Sequence, residues 1–244
     1  MRVTHAEPAF PPLFRGEAAP PGVSPLAKAI AAAARGTDPG LIVYRTEHDR
    51  LCAAVVLAPE APLEDAMAMV FAASLGFGDA LGALAPPEVG VHFDWPAGLR
   101  VNGAKCGRIH AAASHRIGDK EPEWLVVGID IPLFPPDDGP EPGDNPDRTS
   151  LVEEGCGNIL PARLLESWSR HMLVWINRWL EEGMAPLHSD WRTRAYSIGE
   201  DVTVDFCDPP RNGTFVGLDE KGGMLLRDGG ETLLIPLSRM LEMT

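Results

Sequence analysis

The chain is 244 residues long, with 45% hydrophobic residues, 21 basic and 35 acidic side chains and a formal net charge of −14. This composition places it among ordinary globular proteins, with enough apolar residues for one large domain or a domain plus a small module. The acidity, with no Lys/Arg cluster, argues against a nucleic-acid binder, because phosphate contacts need a concentrated basic surface.

Met1–Gly16 has no apolar h-region, so no secretory signal is expected. Residues 1–25 are rich in Pro and Gly and read as an irregular lead-in. Ser24 as N-cap and Pro25 at the first helical position predict a short helix over Pro25–Ala34. Leu41–Tyr44 and Leu51–Leu57 have strand character and are joined by the polar stretch Arg45–Arg50. A helix follows near Pro62–Leu84 and is expected to break at its glycines before the end. The nearly uncharged run Ala66–Pro87 only just reaches the ~20 residues a spanning helix needs. Met67, Val70, Phe71 and Leu75 recur there at helical spacing, which suits a buried amphipathic helix, so no membrane span is expected. Val89–Trp95 is a further strand candidate.

Asn102-Gly103, between Leu99–Val101 and Ala104–Ala112, predicts a two-residue type I′ hairpin. A strand at Trp124–Pro132 closes the first region, and Phe134–Arg148, crowded with Pro, Gly and acidic residues, reads as a flexible surface loop. Pro161–Glu182 carries the strongest helical pattern. Leu165, Trp168, Met172, Trp175 and Trp179 form an apolar stripe whose simplest role is core packing, and Gly183 is a natural stop. After Trp191 short strands are expected at Asp201–Phe206, Thr214–Leu218, Gly223–Leu226 and Thr232–Pro236. Turn residues, Asn212-Gly213 among them, separate these strands. The pattern is that of a small β-barrel appended to a larger α+β domain. The four cysteines (52, 106, 156 and 207) form no CxxC pair, so neither a zinc spacing nor a disulfide framework is present. A reduced, cytoplasmic protein is expected.

Asp94–His110 reads DWPAGLRVNGAKCGRIH. This segment resembles the biotin/lipoate protein ligase family, whose members carry Trp-Pro-Asn-Asp, a hairpin, and then a Lys in a Lys-x-x-Gly-Ile-Leu-like strand. Trp95, Pro96 and Lys105 match at the right separation, with the Asn-Gly hairpin between them. Val126–Ile131 resembles the family's Ile-Gly-x-Gly-Ile-Asn strand. Thr149-Ser150-Leu151-Val152 resembles the segment before its long helix, and the last 50 or so residues resemble its SH3-like barrel. The resemblance implies an α+β fold, with a class II synthetase-like mixed sheet and helices at about 1–188 and an SH3-like barrel at about 190–244. No helix-turn-helix pattern precedes the first domain, so the repressor form of the family is not expected.

Members of that family make biotinyl-adenylate from biotin and ATP with magnesium, then pass the acyl group to a lysine of a biotinyl or lipoyl carrier domain. Charge develops on carboxylate and phosphate during adenylation, so a fixed cation is needed beside both. The resemblance gives Lys105 that catalytic role, and Arg45, Arg50, Trp95, Gly107, Gly128 and Asp130 the substrate contacts. A homodimer is among the assemblies it suggests.

The departures from the family pattern are specific. Its glycine- and arginine-rich lid should fall between the second and third strands of the domain, where only Arg45–Arg50 is present. Arg45 and Arg50 either preserve some anion contact or are two solvated arginines in a short hairpin. Ala97-Gly98 stands for the family's Asn-Asp. Arg108 and Asp130 stand where the two strands carry glycines that allow a ligand to approach, so a side chain at either place is expected to narrow the pocket. Cys106 is a potential nucleophile for an acyltransferase, but strict alternation groups it with Arg108 and His110, away from Lys105, Gly107 and Ile109. A buried structural thiol is the simpler role. His92 and Asp94 share a strand face and default to a hydrogen-bonded surface pair, because a zinc site needs at least three protein ligands. His48 and Asp49 default to solvated residues. The leading reading is a divergent ligase-like protein that binds a small carboxylic acid (biotin, lipoate or a fatty acyl), with or without ATP. The alternatives are a catalytically degenerate binding or interaction protein and an ATP-independent acyltransferase.

Overall fold

The computed structural model describes residues 7–46, 49–116, 120–135, 146–207 and 209–241. His48 and positions 136–145 of the expected acidic loop lie outside the described residues. Among the described residues seven strands form one mixed sheet: β1 (Arg15–Ala18), β2 (Leu41–Thr46), β3 (Arg50–Leu57), β4 (Val91–Asp94), β5 (Gly98–Val101), β6 (Ala104–Ala113) and β7 (Leu125–Pro132). Their spatial order is β1-β2-β3-β7-β6-β5-β4. β1 runs parallel to β2, and the other neighbours pair antiparallel. The helices are α1 (Pro25–Ala33), α2 (Leu63–Ala66), α3 (Ala68–Leu84), α4 (Pro161–Glu182) and α5 (Met184–Thr193). A second antiparallel sheet of β8 (Asp201–Val204), β9 (Arg211–Leu218), β10 (Met224–Asp228) and β11 (Glu231–Ile235) forms the small SH3-like module and ends in a 3₁₀ turn, Leu237–Met240.

Strand periodicity places the site. In β3, Leu51, Ala53 and Val55 face the large core built with α3 and α4, while Ala54 and Val56 face a smaller cluster under α1. The same division in β6 and β7 leaves Arg108, His110, Gly128 and Asp130 on the α1 side of the sheet. α1 covers only one end of that side. Among the described residues no helix covers the other end, and residues of the C-terminal module line a cleft there.

α3 runs unbroken through Gly76, Gly78 and Gly82, contrary to the expected break; the interruption comes earlier, at Met67 between α2 and α3. A Cβ at Gly76 would lie 2.8 Å from the Met172 backbone nitrogen, so this glycine serves the close approach of α3 to α4. Across the same seam Trp168 Nε1 donates to Ala73 O at 3.1 Å and Trp175 Nε1 to Asp79 Oδ2 at 2.7 Å. The stretch Leu63–Leu84 is long and apolar enough to cross a membrane, yet 78% of its apolar window is buried inside the fold.

Asn102 (φ 49°) and Gly103 (φ 91°) both adopt positive φ, as the predicted type I′ hairpin requires. Asn212-Gly213, by contrast, makes no turn and lies within β9. A Cβ at Gly213 would meet Arg227 O at 2.4 Å, so the glycine is there for inter-strand approach. Two elements are absent from the sequence expectation: β1, a fully exposed edge strand with no apolar alternation, and α5, which starts directly after Gly183 and carries Pro186 in its first turn. α5 places Trp191 in the core, stacked on Phe71 with ring centroids 4.7 Å apart.

The C-terminal module is tied to the larger unit at several points. Leu237 and Leu241 belong to the main core. Ser238 Oγ donates to Glu64 Oε1 at 2.5 Å, and Trp95 Nε1 donates to Gly222 O at 2.9 Å.

Candidate functional site

A cleft of about 1380 Å³ opens at the uncovered end of the sheet. Pockets for small molecules usually measure ~300–1,000 Å³, so it can admit a ligand of that class. Its floor is the sheet, carrying Arg50, Lys105, Gly107, Arg108 and Asp130. Trp95–Gly98 line one side, and Val202–Phe206 with Ser238–Leu241 of the C-terminal module line another.

Lys105 is held by its backbone. Its N–H donates to Asp147 O at 2.9 Å, and its carbonyl accepts from Thr149 N–H at 3.0 Å, a bridge that sets Lys105 beside Arg148. The bridging segment is itself fixed, because Thr149 Oγ1 donates to Glu154 Oε1 at 2.6 Å and Ser150 Oγ to Glu153 Oε2 at 2.6 Å. The Lys105 side chain is exposed on the cleft and has no polar partner among the described residues. Arg148 and Arg239 line the same cleft in the same condition.

Strict alternation fails in β6. The β5–β6 register shifts between Gly98 and Arg100, and Gly107 sits at φ 113°. The extra residue is a β-bulge, which re-aims the side chains beyond it. Cys106 and Ile109 consequently share the buried core, while Lys105 and Arg108 both reach the cleft. A Cβ at Gly107 would fall 2.4 Å from Asp130 O, so the bulge needs glycine there. Burial pushes the Cys106 thiol up to about 12, with Glu154 adding to the effect. A thiol protonated to that pH is a poor nucleophile.

Asp130 faces Arg108 in the β6–β7 register and Cys52 in the β3–β7 register. Its Oδ1 accepts from Arg50 Nε at 2.5 Å and from Cys52 Sγ at 3.4 Å. The Asp130 hydrogen bond raises the Arg50 pKa, and burial beside Asp130 pushes the Cys52 thiol up to about 12. Arg50 is therefore an ion-paired residue of the cleft wall and not a solvated loop arginine. Arg45 lies outside the cleft lining, and its Nη1 donates to Val23 O at 3.2 Å. Gly128 also lies outside it: a Cβ there would meet Ala53 O at 2.7 Å, so this glycine serves strand approach.

Trp95 is packed at the domain junction, tilted against Phe206 with centroids 5.8 Å apart. Asp94 does not pair with His92. Its Oδ2 accepts from Arg100 Nε at 2.6 Å, and the Arg100 guanidinium lies 4.0 Å over the Tyr196 ring. His92 packs edge-on to the same ring, and its Nδ1 is buried without a hydrogen bond among the described residues. Asp49 lines the cleft, and its carbonyl accepts from Leu133 N–H at 2.8 Å. Among the described residues no three His, Cys, Asp or Glu side chains gather as metal ligands.

The structure thus brings Arg50, Trp95, Lys105, Gly107 and Asp130 together on one cleft and leaves Arg45 and Gly128 off it. Sequence reasoning missed Arg148 and Arg239. Arg148 directly precedes the Thr149–Val152 segment, which was a usable signal; nothing near Arg239 pointed to a cleft.

Residues 10–193 match the model of the Biotin/lipoate A/B protein ligase family. The chain belongs to this family. Residues 198–243 match a domain of unknown function, DUF4444. A biotin–[acetyl-CoA-carboxylase] ligase of Paracoccus denitrificans is 25% identical over 186 residues, covering 76% of this chain and 77% of that protein. Among solved structures, a biotin protein ligase-like protein of unknown function from Silicibacter sp. TM1040 is 52% identical. It has a TM-score of 0.90 over 97% of this chain and 100% of that one. The biotin protein ligase of Aquifex aeolicus is 18% identical, with a TM-score of 0.69 over 91% of this chain and 92% of that one, a likeness of fold alone. Arg108 and Asp130 make the cleft floor polar.

Proposed function

We propose that this protein binds a small carboxylic acid in the cleft, biotin, lipoate or a fatty acyl, with the carboxylate at Lys105, and that it activates that acid with ATP slowly or not at all. The observation that carries the reading is Lys105 itself. By the sequence resemblance it answers to the lysine of the family strand; its backbone is hydrogen-bonded to Asp147 and Thr149, and its side chain lines the cleft with no polar partner among the described residues. A charge so placed is available to an incoming anion.

The donor set fits a phosphate better than it fits a metal held by the protein. Lys105, Arg148 and Arg239 offer cations to a nucleotide, whereas Ala97-Gly98 supply no side-chain ligand where the family has Asn-Asp. ATP bound here would supply the adenylyl group that activates the carboxylate, and a carrier-domain lysine would be the acceptor. A degenerate, binding-only protein is the second reading. It is favoured by the short Arg45–Arg50 connection and by the Arg50–Asp130 pair, which puts a strand-borne contact where the family closes a lid. A lid excludes water and protects a hydrolysable acyl-adenylate.

Calorimetry of the full chain with biotin, lipoate and octanoate, each with and without ATP, tests the proposal. At least one acid should bind, with little mutual enhancement by ATP. No heat from any acid, alone or with ATP, would overturn it.

A further inference from the structure

We propose that Glu154 is a positioning residue of the acid site, which holds Lys105 in register by tying the segment 147–149 to the Asn102 turn. This rests on the reading that Lys105 takes the carboxylate. The need for such a tie comes from where Lys105 sits. β7 pairs with β6 only from Arg108 onward, so the β7 ladder does not reach Lys105. Its partner on that edge is the 147–149 segment, which meets it through one isolated bridge and two hydrogen bonds, Lys105 N–H to Asp147 O and Thr149 N–H to Lys105 O. On the other edge Lys105 pairs with Arg100, where the β5–β6 register shifts. A slip of one residue there would turn Lys105 toward the core and Cys106 toward the cleft.

Glu154 secures both sides of the lysine with one carboxylate. Oε1 accepts from Thr149 Oγ1 at 2.6 Å, and Oε2 accepts from Asn102 Nδ2 at 2.7 Å. Asn102 opens the turn that leads into β6, while Thr149 holds the Lys105 carbonyl. A carboxylate only accepts, which obliges Thr149 to donate its hydroxyl and Asn102 to present its amide nitrogen. Asn102 Oδ1 is then left to accept from Gly90 N–H at 2.9 Å, which draws the residue before β4 into the same set. Among the described residues Glu154 makes no ion pair, so both charged oxygens serve neutral donors, the stronger kind of hydrogen bond. Burial, and after it the Glu154 charge, raises both the Cys106 and the Cys156 thiol, which agrees with a carboxylate wedged between β6 and the segment after Thr149.

The test is a cycle of four full-length proteins: wild type, Glu154→Ala, Lys105→Ala and the double variant. Calorimetry with biotin, lipoate and octanoate reads affinity, and amide hydrogen exchange without ligand reads the backbone. Asn102 is exposed and Thr149 half-buried, so water can replace the lost acceptor and Glu154→Ala should fold. It should speed exchange of the Lys105 and Thr149 amides about tenfold or more. It should weaken the best-bound acid about two- to tenfold, the effect of releasing one immobilised side chain. In the Lys105→Ala background the same change should alter affinity less than about twofold, because the cation it positions is gone. Glu154→Gln can accept from Asn102 and donate to the Thr149 hydroxyl, so it should bring both readouts back near wild type. An equal loss in both backgrounds marks a general structural effect and overturns the positioning role, as does wild-type affinity in Glu154→Ala. Unchanged exchange at Lys105 overturns the clamp itself. If Lys105→Ala alone leaves affinity unchanged, or no acid binds, the carboxylate reading fails and the positioning role falls with it, even where exchange shows the clamp.

Discussion

Replacing Lys105 by Ala separates binding from stability, because the residue's structural work is done by its main chain. Its N–H and C=O are bonded to Asp147 and Thr149, and neither bond needs the side chain. The ammonium is exposed and has no partner among the described residues, so its loss should change unfolding free energy by no more than about 0.5 kcal/mol. A charge-assisted hydrogen bond to the ligand's carboxylate contributes about 1.5–3 kcal/mol. Its loss should weaken acid binding about 10- to 150-fold at unchanged melting temperature. Salt gives an internal control. Raising the ionic strength should weaken binding to the wild type by screening this contact and should affect the variant much less. Calorimetry with the best-binding acid, beside a thermal melt of both proteins, reads all of these effects. Equal affinity in wild type and Lys105→Ala would refute the placement of the carboxylate.

Three further expectations concern the frame around the cleft. Gly76→Ala should destabilise by about 1–3 kcal/mol, because the new Cβ lies 2.8 Å from a backbone atom of α4. Gly82→Ala, with nothing within 4 Å, should stabilise by about 0.5–1 kcal/mol; denaturant titration of both variants checks the contrast. With its thiol near 12, Cys106 should hold only about one part in ten thousand as thiolate at pH 8 and resist iodoacetamide in the native state, and mass spectrometry showing prompt alkylation there would contradict this. A chain ending at Tyr196 keeps α5 whole and should still melt cooperatively. Its melting temperature should be lower, since removing Leu237 and Leu241 costs about 1.5–3 kcal/mol for each fully buried side chain. Loss of the cooperative transition would make the two parts a single folding unit.

The fold was legible in the sequence wherever a periodic pattern coincided with local chemistry. Ser24 caps α1, Asn102-Gly103 turns the hairpin, and the Trp168–Met172–Trp175 stripe of α4 lies in the core. The glycines misled in both directions. Those of α3 and Gly213 are set by what packs against them, a tertiary fact that local propensity does not contain. β1 gave no apolar signal because its residues are all exposed at an edge. Half of the site was legible for a comparable reason. Lys105 and Asp130 sit in strands with readable motifs and Trp95 in the turn just before β5, but the re-aiming of Arg108 comes from a single-residue bulge. Arg239 reaches the cleft only because Leu237 and Leu241 anchor a distant turn in the main core.

Release of pyrophosphate with ATP, magnesium and biotin, lipoate or octanoate in turn tests the central claim most directly, namely that the acid site is kept while adenylation is weak. Loss of a single anion-stabilising donor can cost about 10²–10³ in rate. By the sequence resemblance, Arg45–Arg50 and Ala97-Gly98 stand where the lid donors and the Asn-Asp pair are expected. Release should therefore be undetectable or very slow with every acid, including any that calorimetry shows to bind. Rapid release with one of these acids, abolished by Lys105→Ala, would contradict the account and restore an ordinary ligase.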